Sequence, residues 1–317
     1  MQLKQLGSSG LEIAPIVFGG NVFGWTADKE ASFALLDRFV DQGFNAIDTA
    51  DTYSGWVPGN SGGESETIIG EWLASRKRRH DIVLMTKVAK WSQRPGLSPA
   101  NIIAAIDDSL KRLQTDYVDV YFAHEDDETV PLDHTLATFA ELVASGKVRV
   151  LGASNYEAPR LSEALSISRA AGFPRYEVLQ PEYNLYAREG FEGELEDVAT
   201  ENGLGVVPYF SLGSGFLTGK YRSKADIEGT AREGLLGGYF DARGQRVLDA
   251  LHAAAEETGA TPTQVALAWL IGKSSVTAPI ASARTVAQLD EVLGAAEVTL
   301  PRALMAKLDS AGAMTPA

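Results

Sequence analysis

Short apolar runs alternate along this chain with longer segments in which apolar residues recur every three or four positions. The short runs predict strands at residues 16–20, 45–50, 81–88, 117–124, 148–154, 177–181, 205–209 and 276–281. The longer segments predict helices near 29–42, 63–76, 132–145, 157–171, 189–202, 243–258, 262–271, 285–296 and 301–311. A further helix should start at Ser98, an N-cap residue followed by Pro99 at the first helical position, and Gly146 should stop the one before strand five. Gly7-Ser8-Ser9-Gly10 supplies turn chemistry for a small hairpin over residues 1–14. Residues 211–242 read as irregular, and 223–240, with Gly229, Gly234, Gly237 and Gly238, as a mobile lid or as plain disorder. Strand and helix follow each other eight times without a linker or low-complexity tract. The expected fold is α/β: a (β/α)8 TIM barrel filling residues 1–317 as one domain, with an N-terminal hairpin and a long loop after strand seven.

Three of the apolar runs end in chemistry. The second delivers Asp48, the third Lys87 and the fourth His124, and Tyr53 follows Asp48 by five residues. In a parallel barrel these strand ends share one face, which is where such barrels carry their sites. A buried Asp is costly unless a cation meets it, and Lys87 is the candidate cation. The same ammonium beside Tyr53 should lower the phenol's pKa from its usual value of about 10. With His124 orienting a carbonyl oxygen, the set suits carbonyl reduction, with hydride from a cofactor and a proton from Tyr53.

Charge and composition narrow the partners. A net charge of −14, from 28 basic and 42 acidic residues, argues against nucleic-acid and anionic-membrane surfaces. The absence of cysteine excludes disulfides, thiolate nucleophiles and cysteine metal sites. The opening residues lack the apolar core of a signal peptide and no apolar run spans a bilayer, so a cytoplasmic setting is expected. His80, His134 and His252 have no ligand spacing, and no metal is expected. Arg76-Lys77-Arg78-Arg79 reads as a solvated helix end complementing the helix dipole. Glu125-Asp126-Asp127-Glu128 is expected to be a solvated loop, or to repel anionic substrates or keep His124 protonated. Trp25, Trp56 and Trp91 each follow one of the first three strands, so either core packing or an aromatic wall for a small-molecule substrate is expected there.

The ordered motifs resemble those of the aldo-keto reductase superfamily, of the bacterial type, over essentially the whole chain. They are Ala46-Ile47-Asp48-Thr49-Ala50-Asp51-Thr52-Tyr53, Gly63-Glu64-Ser65-Glu66 with Ile69-Gly70, Thr86-Lys87, and Leu113 with Asp116-Tyr117-Val118-Asp119. Further on come Gly146-Lys147-Val148-Arg149, Gly152-Ala153-Ser154-Asn155, Gln180-Pro181-Glu182-Tyr183-Asn184 and Gly215-Phe216-Leu217-Thr218-Gly219-Lys220-Tyr221. By this resemblance Asp48, Tyr53, Lys87 and His124 fill a catalytic tetrad, and the implied activity is NADPH-dependent reduction of aldehydes or ketones, reversible as alcohol oxidation. NADH is the alternative coenzyme. Ser154, Asn155 and Gln180 would bind the carboxamide, Tyr209 would stack on the nicotinamide, and Gly20 and Asn21 would lie beside it. Backbone N–H groups of Phe210, Ser211, Leu212, Gly213 and Ser214 would cover the pyrophosphate, with Lys220 as a phosphate cation. Ser282, Arg284 and Gln288 match the adenosine segment, Arg284 facing a 2′-phosphate; relatives usually carry Gly at Ser282 and Asn at Val292. Some superfamily members resemble channel-associated regulatory subunits that hold cofactor with little turnover, and this is the competing reading. A Rossmann short-chain dehydrogenase is excluded, because no Tyr-x-x-x-Lys occurs and Gly213-x-Gly215-x-x-x-Gly219 has the wrong spacing. Nothing in the pattern selects a particular substrate or an oligomeric state.

Overall fold

The computed structural model describes residues 2–229 and 233–314. Residues 230–232, within the segment read as a lid or disorder, lie outside the described residues, as do Met1 and 315–317. Two short strands, β1 (Lys4–Gln5) and β2 (Glu12–Ile13), pair antiparallel as the expected hairpin. Eight parallel strands follow in the order β10-β3-β4-β5-β6-β7-β8-β9. They are β3 (Val17–Gly19), β4 (Ala46–Asp48), β5 (Val83–Val88), β6 (Val118–Ala123), β7 (Val148–Ser154), β8 (Tyr176–Gln180), β9 (Gly205–Val206) and β10 (Ile280–Ala281). The sheet closes on itself: Thr277 N donates to Val206 O at 2.8 Å and Ile280 N to Pro208 O at 2.9 Å.

Helices α1 (Lys29–Asp41), α2 (Glu64–Arg76), α3 (Pro99–Leu113), α4 (Leu132–Ala144) and α5 (Ala158–Ala171) return the chain between successive strands. Then come α6 (Glu194–Glu201), α7 (Glu233–Leu236), α8 (Ala242–Thr258), α9 (Pro262–Ile271), α10 (Val286–Gly294) and α11 (Arg302–Gly312). Ser98 caps α3 by accepting from Asn101 N, with Pro99 next to it, as the sequence leads one to expect. The seventh and eighth strands are shorter than their apolar runs, because Pro208 and Pro279 bring no N–H to the ladder. The stretch after β9 is not wholly irregular: Gly213–Thr218 and Lys224–Asp226 form 3-10 turns. Among the described residues no helix is long and apolar enough to cross a membrane.

Strand periodicity divides the apolar residues into two sets. Phe18, Ile47, Leu84, Tyr121, Leu151 and Leu179 pack in the large cluster that includes the helices. Val17, Ala46, Val83, Met85, Val120, Phe122, Val150, Val178, Val207, Ala278 and Ile280 fill the barrel, joined by Leu6, Leu11 and Ile13 of the hairpin. Each fully buried side chain of this kind contributes about 1.5–3 kcal/mol. The hairpin thus plugs the amino-terminal end, and the carboxyl end is left for polar groups. Close approach requires glycine between two of the helices: a Cβ on Gly70 would collide with the carbonyl oxygen of Arg112, so α2 and α3 meet backbone to backbone there.

Candidate active site

The inward rows that begin with Ala46, Met85, Phe122 and Val178 continue, two residues on, to Asp48, Lys87, His124 and Gln180. Period-two alternation therefore carries the polar residues into the barrel mouth. Lys87 is fully buried, and its Nζ donates to Asp48 Oδ2 at 2.7 Å, Thr49 O at 2.8 Å and Tyr53 Oη at 2.9 Å. These three bonds satisfy the ammonium completely. Tyr53 Oη donates in turn to Asp48 Oδ2 at 3.0 Å, and Gln180 Nε2 donates to Asp48 Oδ1 at 2.9 Å. The His124 ring lies 6.1 Å from that of Tyr53, centroid to centroid. Asp48, Tyr53, Lys87 and His124 are thus one cluster, as their strand positions predicted.

Two electrostatic expectations need correction. Tyr53 is held well above the ordinary phenol value, first by burial and then by the Asp48 carboxylate that its hydroxyl faces. Sequence position placed the ammonium beside the phenol but gave no sign that Tyr53 would donate to Asp48, which favours the neutral form. Lys87 itself is lowered by burial, against the opposing pull of Asp48. His124 is pushed well below the usual imidazole range by burial, then by Lys87 and Lys90. It is a neutral imidazole at pH 7, with Nδ1 buried and unpartnered. The acidic stretch after it does not hold it protonated, and three of its four carboxylates are engaged elsewhere. Glu125 pairs with Lys90 at 3.3 Å, Asp126 with Arg160 at 2.7 Å, and Asp127 accepts from Leu97 N at 2.8 Å.

A polar rim adjoins the cluster. Ser154 Oγ donates to Gln180 O at 2.8 Å, and Asn155 Nδ2 donates to His124 O at 2.8 Å. Tyr209 Oη donates to Asn155 Oδ1 at 2.7 Å. Gly20 packs against the strand end, where a Cβ would lie 3.0 Å from Asp48 O. Ser282 has a local explanation: its hydroxyl lies 2.7 Å from Gly19 O and 2.6 Å from Asn21 Oδ1, tying the last strand to the first. Beyond Tyr209 the backbone turns left-handed at Phe210, Gly213, Ser214 and Gly215. The Gly213 and Gly215 amides donate inside this loop, to Phe210 O and Leu212 O, and Ser211 Oγ donates to Pro208 O. Lys220 is exposed over the Tyr221 ring. Arg284 is exposed at the start of α10, its backbone N–H donating to Gln288 Oε1 at 3.0 Å. Val292 is buried in the core, so this position offers no polar group. Left-handed non-glycine residues also follow the strand ends at Ser54, Ala89 and Asn155, so backbone strain gathers on this face of the barrel.

The tryptophans separate. Trp25 and Trp56 are exposed and meet edge to face at 5.7 Å, with Trp56 6.2 Å from the Tyr53 ring. Their loops are tied together by Ser54 Oγ donating to Phe23 O and Asn60 Nδ2 donating to Gly24 O. Trp91 has other partners: its Nε1 donates to Ser61 O at 2.7 Å and its ring lies beside Arg94 and Arg112. The basic helix end is also less solvated than expected, since Arg79 pairs with buried Asp119 at 2.8 Å and stacks on Tyr117.

One feature behind the cluster had no separate signal in the sequence. Asp51 is buried with no side-chain donor on either carboxylate oxygen, and its carboxyl is pushed up to about 7 by burial and then by Glu66, against the opposing pull of Arg112, the Thr52 N–H and Lys87. Glu66 accepts from Thr86 Oγ1 at 2.5 Å and from Arg112 Nε at 2.7 Å. The Tyr121 hydroxyl is buried nearby without a partner.

The site residues fit a nicotinamide dinucleotide. Ser154, Asn155 and Gln180 gather amide and hydroxyl groups beside the phenol, and Arg284 presents an exposed guanidinium at a helix start. Comparison with known proteins agrees with this chemistry. The profile of the Aldo/keto reductase family matches residues 15–313. The chain is 33% identical to the uncharacterized oxidoreductase YrpG of Bacillus subtilis, covering 98% of this chain and 95% of that one. It is 33% identical to a probable voltage-gated potassium channel subunit beta of Oryza sativa subsp. japonica, over 94% and 92% of the two chains. It is 32% identical to norsolorinic acid reductase B of Aspergillus parasiticus, over 92% and 79%. A closed parallel barrel with this match along nearly its whole length belongs to the aldo/keto reductase family, whose members are NAD(P)H-dependent oxidoreductases.

Proposed function

We propose that this chain is one barrel domain that reduces the carbonyl group of small aldehydes or ketones with NADPH, in the cytoplasm, and runs in reverse on the alcohol. The observation that carries the reading is Lys87 Nζ bridging Tyr53 Oη at 2.9 Å and Asp48 Oδ2 at 2.7 Å inside the barrel mouth. When bound, NADPH would supply the hydride. Ser154, Asn155 and Gln180 would hold its carboxamide, Tyr209 its nicotinamide face, the Phe210–Ser214 loop and Lys220 its phosphates, and Arg284 its 2′-phosphate.

Tyr53, kept as a neutral phenol, turns its O–H from Asp48 Oδ2 to the substrate oxygen and hands over the proton as negative charge develops there. The phenolate left behind is met by the Lys87 ammonium, and Asp48 keeps that ammonium charged and in place. Neutral His124 offers a hydrogen bond to the same oxygen and so fixes the carbonyl against Tyr53. Trp25 and Trp56 form an apolar wall beside the phenol, which favours an aromatic or otherwise apolar carbonyl compound.

NADPH and NADH consumption with 4-nitrobenzaldehyde tests the reading, on wild type and Arg284→Ala. Turnover is expected with both coenzymes and a preference for NADPH. In Arg284→Ala that preference should fall by about tenfold, the loss of one charge-assisted phosphate contact. An unchanged ratio removes Arg284 from this role. The likeness to the rice channel subunit favours a second reading, a regulatory subunit that holds the coenzyme. Tight NADPH binding without turnover would establish that reading instead.

A further inference from the structure

Phe210 directly follows Tyr209 and has a left-handed backbone, with φ 51°. A bulky side chain is disfavoured there, where glycine or asparagine is at ease. Two hydrogen bonds to its carbonyl hold the turn: Asn184 Nδ2 donates at 2.9 Å and Gly213 N at 2.7 Å. Neither involves the phenyl ring, so glycine would serve the turn better. Nor does the ring gain much by burial, since it is 48% exposed. It leans on Tyr209 instead, with centroids 5.1 Å apart and planes at 70°. Tyr209 is anchored through Oη to Asn155, so the two rings make a fixed edge-to-face pair at the carboxyl end of the barrel. A strained backbone carrying a half-exposed aromatic ring beside a polar rim points to a ligand contact, because the Tyr209 contact and the partial burial return little to the fold for that strain.

We propose that Tyr209 and Phe210 form an aromatic clip around the nicotinamide end of the dinucleotide. Tyr209 offers its face and Phe210 a perpendicular wall that keeps water from the stacked heteroaromatic ring. The clip rests on the dinucleotide reading above and gives a role to the Phe210 side chain, where the family resemblance involves only its backbone.

NADPH dissociation constants, from quenching of tryptophan fluorescence, test the clip on wild type, Phe210→Gly and Phe210→Tyr, with Tm measured on each protein without coenzyme. Phe210→Gly should keep or raise Tm while weakening NADPH binding about three- to tenfold, the range of an aromatic pair contact. Phe210→Tyr should bind within about twofold of wild type, since the ring is retained. Unchanged NADPH affinity in Phe210→Gly overturns the clip. So does a lower Tm in that variant, which would assign the ring to the fold. A wild-type protein that binds no NADPH overturns the dinucleotide reading itself, and the wild-type arm separates that failure from failure of the clip.

Discussion

Lys87→Met should lose about a thousandfold or more in kcat/KM for carbonyl reduction, within the range for removing a group that stabilises charge on a proton donor. It should also lose about 3–5 kcal/mol of stability, because Asp48 is buried and would face no cation. The double variant Asp48→Asn/Lys87→Met separates the two effects. With both charges gone, most of the stability should return, since a buried ion pair replaced by neutral groups is often close to neutral. Turnover should stay at the level of the single variant. Urea unfolding and steady-state kinetics on the three proteins check this. Recovery of activity along with stability would mean that Lys87 serves the fold and not the chemistry.

Asp51→Asn should stabilise the protein at alkaline pH and leave it nearly unchanged at acid pH. The reason is a buried carboxyl that meets no side-chain donor, faced by Glu66 from α2, Arg112 from α3, the Thr52 N–H, Lys87 from β5 and Tyr121 from β6. In the unfolded chain an Asp ionises near 4, whereas in the fold this one keeps its proton up to about 7. The unfolded state therefore binds fewer protons across that window, and wild-type stability falls as pH rises from about 4 to about 7. Ionisation would cost the fold at most about 4 kcal/mol by pH 8. The asparagine amide leaves buried polar groups of its own, so a net gain of about 1–3 kcal/mol at pH 8 is expected. Unfolding free energies at pH 5 and pH 8 check it. A variant less stable than wild type at pH 8 would show that the carboxylate is charged and satisfied.

Much of this architecture was legible because one rule operates along every strand. Alternate residues fill the barrel, and where the apolar row of β4, β5 and β6 gives way to Asp48, Lys87 and His124 the row has reached the mouth. Caps were equally readable: Ser98 with Pro99 starts α3 where those residue types predict. Strand ends were less so, because the runs at 205–209 and 276–281 carry on through Pro208 and Pro279, which bring no N–H to the ladder, so that only Gly205–Val206 and Ile280–Ala281 are strand. The charge states of Tyr53 and His124 depend on burial and on which oxygen the phenol faces, quantities that no spacing encodes. Trp91 illustrates the same limit, since following a strand does not tell that an indole meets Arg94 and Arg112. Left-handed turns at Ala89, Asn155 and Phe210 carry no glycine to announce them. Asp51 and Glu66 lie in motifs that the resemblance highlights, yet their meeting behind Lys87 is a product of the fold.

The central claim is that the Tyr53 hydroxyl, held between Lys87 and Asp48, is the proton source. Tyr53→Phe removes one oxygen and little else, so NADPH affinity should remain within about twofold while kcat for 4-nitrobenzaldehyde drops by about a hundredfold to ten-thousandfold, the range for a lost general acid. A Phe variant that binds NADPH and reduces the aldehyde at close to the wild-type rate would contradict the account.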